Sequence, residues 1–173
     1  MTEPDPTCGV AHGAPSPQVE GRVLVAVFAS PVAEVLLRWA PELGFRTALV
    51  EPDADRAAEG AVVGLAQLDG RLAVEDADVV VTDHHRPELG EVLRDVLARR
   101  VRWVGVMGNP RHEGPHVAAL TALGVPPEEI ARVHRPIGLD IGSRTPPEIA
   151  LSTLAGLLAD RAGRGGGFAH RPR

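Results

Sequence analysis

Apolar and polar positions alternate along this chain in blocks that read as strand, helix, strand, helix. Arg22–Phe28 is a continuous β-branched apolar run, the pattern of a strand buried on both faces. Pro31 suits a first helical turn, and Val32, Val35, Leu36, Trp39 and Leu43 recur at three and four. Gly44 falls where a left-handed C-cap is expected, with Phe45 folding back on the helix. Arg46–Glu51 and Ala77–Thr82 read as the next buried strands, and Ala61–Leu68 as a short additional one. A second helical face follows at Leu89, Val92, Leu93, Val96 and Leu97, and then a strand at Arg102–Gly108. Val117, Leu120 and Leu123 mark a helix stopping at Gly124, and Pro126–Ile130 one further turn. Thr145-Pro146-Pro147-Glu148 is a capping box, and Ile149, Leu154, Leu157 and Leu158 give the terminal helix its buried side. Repeated strand–helix units of this length predict a doubly wound α/β fold with a mainly parallel, Rossmann-like sheet.

The ends break the pattern. Residues 1–20 carry Pro4, Pro6, Pro15 and Pro17 without periodicity and read as a disordered leader. Residues 163–173, with Gly165-Gly166-Gly167, read as a flexible Gly/Arg tail, leaving 21–162 as a single domain. No apolar run approaches the roughly 20 residues of a membrane span, and the leader lacks a signal-peptide core. The expectation is a soluble cytoplasmic protein. Its net charge of −5 gives no support for binding nucleic acid or an acidic membrane.

Composition narrows the chemistry. All 18 basic residues are arginine, tyrosine is absent, and Cys8 is the one cysteine. Without lysine there is no Walker-type phosphate lysine, no Schiff base and no pyridoxal phosphate anchor. Without tyrosine there is no Tyr/Lys pair of the short-chain dehydrogenase kind. A single cysteine excludes a CxxC zinc site, an iron–sulfur cluster and an internal disulfide. Cys8 itself, in the leader, reads as an incidental thiol.

The remaining candidates cluster after predicted strands, where open parallel sheets bind ligands. Phe28, Ser30 and Ala33 stand at the positions of a GxGxxG fingerprint, and Glu51 lies near the spacing of a ribose-binding acid. The two missing glycines do the physical work in that motif, so Phe28 reads as a plug of the turn. Asp83, His84, His85, His112 and His116 follow strands or open helices, and His112 and His116 have i, i+4 spacing. Gly108-Asn109-Pro110-Arg111 sits between a strand and a helix, where backbone amides and a guanidinium attract an anion. Arg135 and Arg144 occupy the comparable loop before the last helix. Two further readings stay open: an NAD(P)-binding oxidoreductase using Ser30 and Glu51, and a metal-dependent hydrolase built on His84, His112 and His116.

Pro136-Ile137-Gly138-Leu139-Asp140-Ile141-Gly142, followed by Thr145-Pro146-x-Glu148-Ile149-Ala150-x-Ser152, resembles the C-terminal Rossmann domain of the XdhC/CoxI family. So does Val104-Gly105-Val106-Met107-Gly108-x-x-Arg111, a G-x-x-G-S-x-R element with Asn109 in place of serine. The resemblance runs from about Arg22 to Gly163. It implies a maturation factor for molybdenum hydroxylases of the xanthine dehydrogenase or carbon monoxide dehydrogenase type. Such a factor binds molybdenum cofactor (molybdopterin) and hands it to the apoenzyme, more a chaperone than a catalyst. Two departures bear on this. Phe28-Ala29-Ser30 replaces the usual Gly-x-Gly, which speaks against NAD(P). The N-terminal domain of full-length members has no counterpart here, which implies a separately encoded partner of that type and leaves room for a homodimer. The resulting candidate ligand rim is Asp83, His84, His85, Gly108, Asn109, Arg111, His112, Asp140 and Arg144. His84 and Asp83 would orient polar ring edges there, and Arg111 with the Gly108 and Asn109 amides would hold an anion.

Overall fold

A computed structural model of the chain describes residues 21–108 and 114–164, together with Val10. Five parallel strands form one sheet: β1 (Arg22–Val27), β2 (Phe45–Val50), β3 (Ala77–Val81), β4 (Trp103–Val106) and β5 (Val133–His134). Their order is β2-β1-β3-β4-β5. The helices are α1 (Pro31–Trp39), α2 (Leu89–Ala98), α3 (Pro115–Ala122), α4 (Pro127–Ile130) and α5 (Pro146–Arg161). This is the doubly wound, Rossmann-like α/β arrangement expected from the pattern. None of the described helices is long and apolar enough to cross a membrane.

Strand alternation sorts the side chains into two cores. Val23, Val25 and Val27 of β1, with Val79, Val81, Val104 and Val106, face Leu89, Leu93, Val96, Leu97, Leu120 and Ile130. Leu24, Val80 and Trp103 point the other way, toward Val35 and Leu36 of α1 and Ala150, Leu154 and Leu157 of α5. Each fully buried side chain of this kind contributes roughly 1.5–3 kcal/mol of transfer free energy. Because both sheet faces are covered, β1 and β3 are apolar at nearly every position, which makes them readable without alternation.

The local signals act where the sequence put them. Ser30 is the N-cap of α1, its Oγ accepting from the Ala33 amide at 3.1 Å, with Pro31 in the first turn. Trp39 leads into a 3₁₀ turn, Ala40–Leu43, which Gly44 ends with φ 79°. Thr145 and Glu148 form the reciprocal capping box of α5.

Three elements differ from the pattern reading. Ala61–Leu68 is not a strand: Val62 makes one bridge to Val50, and Leu65–Leu68 is a 3₁₀ turn. Gly64 and the polar Gln67 break the run before a ladder can extend. The fourth strand is shorter than expected, Trp103–Val106. The fifth, Val133–His134, was not anticipated, because two residues carry no period.

Candidate functional site

The strand order reverses between β1 and β3, and parallel sheets bind ligands outside the carboxyl ends of strands at such a point. Here that crevice is knitted by the protein itself. Ser30 Oγ meets Thr82 Oγ1 at 2.9 Å, and Thr82 Oγ1 lies 2.8 Å from the Phe28 carbonyl oxygen and 3.1 Å from that of Val27. Phe28 has φ 71°, so the turn keeps a conformation that favours glycine while carrying a bulky ring. The ring is fully buried, with the Arg86 guanidinium 4.7 Å above it.

Glu51, at the ribose-acid spacing, points inward. It is fully buried. Its Oε2 accepts from the Ala29 amide at 2.8 Å and from Arg86 Nη1 at 3.1 Å. Its Oε1 accepts from the Asp53 amide at 3.0 Å and from Arg86 Nη2 at 2.9 Å. Burial alone would raise this carboxyl, but the hydrogen bonds from Arg86, Ala29 and Asp53 outweigh it and hold it below its ordinary value. Arg86 is held still more firmly protonated by Glu51, against its burial, with help from Glu88. Glu51, just after β2, therefore ties the turn after β1 through the Ala29 amide to the loop after β3 through Arg86. Sequence reading missed Arg86; immediately after the His84-His85 pair, it carried no motif of its own.

The open part of the rim lies at the ends of β3, β4 and β5. Asp83 Oδ1 accepts from the His85 amide at 2.9 Å and so shapes the turn after β3. The His84 and His85 rings are 4.0 Å apart, with His85 exposed and His84 half-buried. His84 makes a backbone hydrogen bond with Met107, linking this turn to the end of β4. Burial, then His85 and Arg135, push His84 below its ordinary value of 6.5, against the pull of Asp83 and Met107. Gly108 continues from β4. A Cβ there would lie 2.6 Å from Arg135 Nε and 2.8 Å from its Cζ, so the absence of a side chain lets the guanidinium lie on the backbone. The Arg135 stem continues over Gly114, where a Cβ would come within 2.9 Å of Arg135 Cδ and would overlap His116 Nδ1. His116 is buried, and burial followed by Arg135 lowers its pKa below 6.5.

Thus His84, Gly108, Gly114, His116 and Arg135 come together, with Asp83 and His85 beside them. Arg135 and His116 are the additions. Both were singled out in the sequence, Arg135 in the loop before the last helix and His116 at i, i+4 from His112, but neither was counted in the expected ligand rim. Asp140 and Arg144 are exposed in the segment leading into α5. There Glu148 Oε2 accepts from the Arg144 amide at 2.7 Å and from the Thr145 amide at 3.1 Å, so the Arg144 backbone serves the helix cap. Gly138, with φ 89°, packs on Ser152, and Ser152 takes the Leu139 amide at 3.1 Å, which seats the Gly-rich turn on α5. Asn109, Arg111 and His112 lie outside the described residues, as does Cys8. Among the described residues no three His, Cys, Asp or Glu side chains are grouped to hold a metal. With both imidazoles held neutral at pH 7, the cluster offers ring N–H groups, glycine backbone and one guanidinium, a set suited to an anion with polar ring edges.

Comparison with known proteins agrees with this architecture. Residues 24–157 match the XdhC Rossmann domain family. The uncharacterized protein YqeB of Escherichia coli (strain K12) is 35% identical over 82 residues, which are 47% of this chain and 15% of YqeB. A xanthine dehydrogenase structure from Bacillus halodurans superposes with a TM-score of 0.63 at 24% identity, covering 87% of this chain and 45% of that one. At that identity the likeness is one of fold. The chain spans less than half the length of either relative.

Proposed function

Because the chain belongs to the XdhC Rossmann domain family, we propose that it is an accessory protein in the maturation of a molybdenum hydroxylase. In this reading it holds molybdenum cofactor as cargo and passes it to the apoenzyme, its protein partner. The observation that carries the reading is the convergence of Arg135, His84 and His116 on the glycine backbone at the end of β4. Molybdenum cofactor is a pterin bearing a phosphate, so it needs a cation and ring-edge hydrogen bonds in one place. The residues fit that need. Arg135 supplies fixed charge, with Gly108 leaving room for it to lie flat. The His84 ring and the Asp83 carboxylate stand beside it for the polar edge of a heterocycle. When bound, the cargo supplies the client's redox chemistry, and this chain contributes holding and orientation. A neutral imidazole releases an anion more readily than a second fixed charge would, which suits a hand-off.

Deletion of the chain tests this. The hydroxylase polypeptide should still accumulate, but purified hydroxylase should lack most of its cofactor and activity. Full cofactor content and activity in the deletion strain would rule the maturation role out.

A further inference from the structure

The N-terminus of α3 holds a polar atom that the fold leaves unserved. His116 is 6% exposed, and its Nδ1 is buried with no hydrogen-bond partner among the described residues. Burying such an atom unpaired destabilises the fold, because the hydrogen bond it makes to water is lost and not replaced. The ring is aimed at Gly114, the N-cap of α3, closely enough that any Cβ there would overlap Nδ1. Gly114 has an ordinary extended φ of −75°, so it is space and not conformation that requires glycine. Being glycine, it brings no side chain to cap the first-turn amides, and Pro115 follows at the first helical position. The Arg135 side chain runs over Gly114 and ends on Gly108. A buried ring nitrogen, a helix N-terminus whose N-cap residue supplies no side-chain cap, and a guanidinium therefore share one place.

We propose that this place is a phosphate subsite, in which His116 donates from Nδ1 to a phosphate monoester that also meets the N-terminus of α3 and the Arg135 guanidinium. The inference rests on the reading of the rim as an anion site and goes beyond it by assigning the phosphate end of the ligand to His116. Three features support phosphate over a planar carboxylate. A helix N-terminus favours an anion on its axis, a guanidinium approaches from the side, and Nδ1 adds a third direction, which matches a tetrahedral group. An anion there would also satisfy the orphaned nitrogen, which otherwise stays a standing cost of the fold.

The test uses the full chain with ¹⁵N-labelled histidine. Inorganic phosphate titrated at neutral pH should move the His116 ring nitrogens in a saturable way. A second arm uses the oxidised, fluorescent pterin of molybdenum cofactor with and without its phosphate, and a nucleoside monophosphate as another monoester. The phosphorylated pterin should bind about tenfold more tightly than the dephosphorylated one, the worth of one charge-assisted hydrogen bond. His116→Phe keeps the ring volume and removes Nδ1, so this preference should vanish in it, and Arg135→Gln should weaken it likewise. Tighter binding of the nucleoside monophosphate than of the pterin would keep the subsite and assign it to a nucleotide. His116 resonances that stay still at saturating phosphate, or equal binding of both pterins, would overturn the subsite. The maturation role fails separately, in the deletion strain: either result can occur without the other.

Discussion

Glu51→Gln is expected to destabilise the protein by about 3–5 kcal/mol, the range seen when a buried ion pair loses one partner. Each Glu51 oxygen takes two donors, one backbone amide and one guanidinium N–H. Glutamine would turn an NH₂ group toward one of these pairs, setting donors against donors. It would also leave Arg86, whose side chain is 6% exposed, without its main counter-charge. Arg86 cannot lose its proton, so the charge would stay buried beside the Phe28 ring. Urea unfolding at neutral pH measures the loss. The same contact predicts an acid limb. Glu51 titrates below its ordinary value of 4.5 in the fold, so its contribution is complete above that pH. It is lost as the pH falls through the folded value, where the folded state must take up the proton. The stability of the wild type should therefore fall more steeply below pH 4.5 than that of Glu51→Gln. An unchanged urea midpoint in the variant would show that Glu51 and Arg86 are not coupled as described.

Asp78→Ala is expected to cost at least about 3 kcal/mol, for a related reason at the opposite end of the sheet. Asp78 sits fully buried in β3, on the face covered by α1 and α5. Arg102 Nε donates to its Oδ1 at 2.5 Å and Arg161 Nε to its Oδ2 at 2.7 Å. Arg161 also reaches the Asp76 carbonyl at 2.6 Å, and Arg102 reaches Asp160 at 2.7 Å. The last turn of α5 is thereby fastened to the start of β3. Burial pushes the Asp78 carboxyl above its ordinary value, with Arg161 and Arg102 pulling against it. The charge is thus costly to bury, yet two guanidinium groups left without it are costlier, because neither can neutralise itself. Arg102 is 24% exposed and Arg161 12%, so water offsets part of the loss and sets the estimate at the low end of the range. At roughly 2–4 °C per kcal/mol for a chain of this size, thermal unfolding should drop by about 10 °C. A shift of a degree or two would mean that Asp78 is dispensable to the α5 anchor.

These two ion pairs also mark where sequence reading stopped. The strands were legible because burial on both faces leaves an unbroken apolar run, as in Val23–Phe28. α1 and α5 were legible because their signals are local: Pro31, Gly44 and the Thr145–Glu148 box act within a few residues. Asp78 and Arg86 were not, since the partners that justify burying them, Arg102, Arg161 and Glu51, lie 24 to 83 residues away. A charged residue in a strand reads as an edge or a solvent face until the arginine that buries it is seen. The same holds at the rim. His84 and Gly108 announced themselves as residues following strands. Arg135 joined them only once β5 placed it beside β4, and β5 is too short to have a period. Phe28 shows the converse. The sequence suggested that it blocks the fingerprint turn; the structure adds that the turn retains the glycine-like φ and that Arg86 covers the ring.

The central claim is that the cluster around Gly108 and Arg135 holds the pterin cargo. It is tested most directly by assaying bound pterin in the full chain purified from cells that synthesise molybdenum cofactor. The wild type should carry stoichiometric pterin, while Arg135→Gln and Gly108→Ala should lose it, the latter because the new Cβ displaces the guanidinium. A wild type free of pterin in such cells, or an Arg135→Gln protein that retains as much as the wild type, would contradict the account.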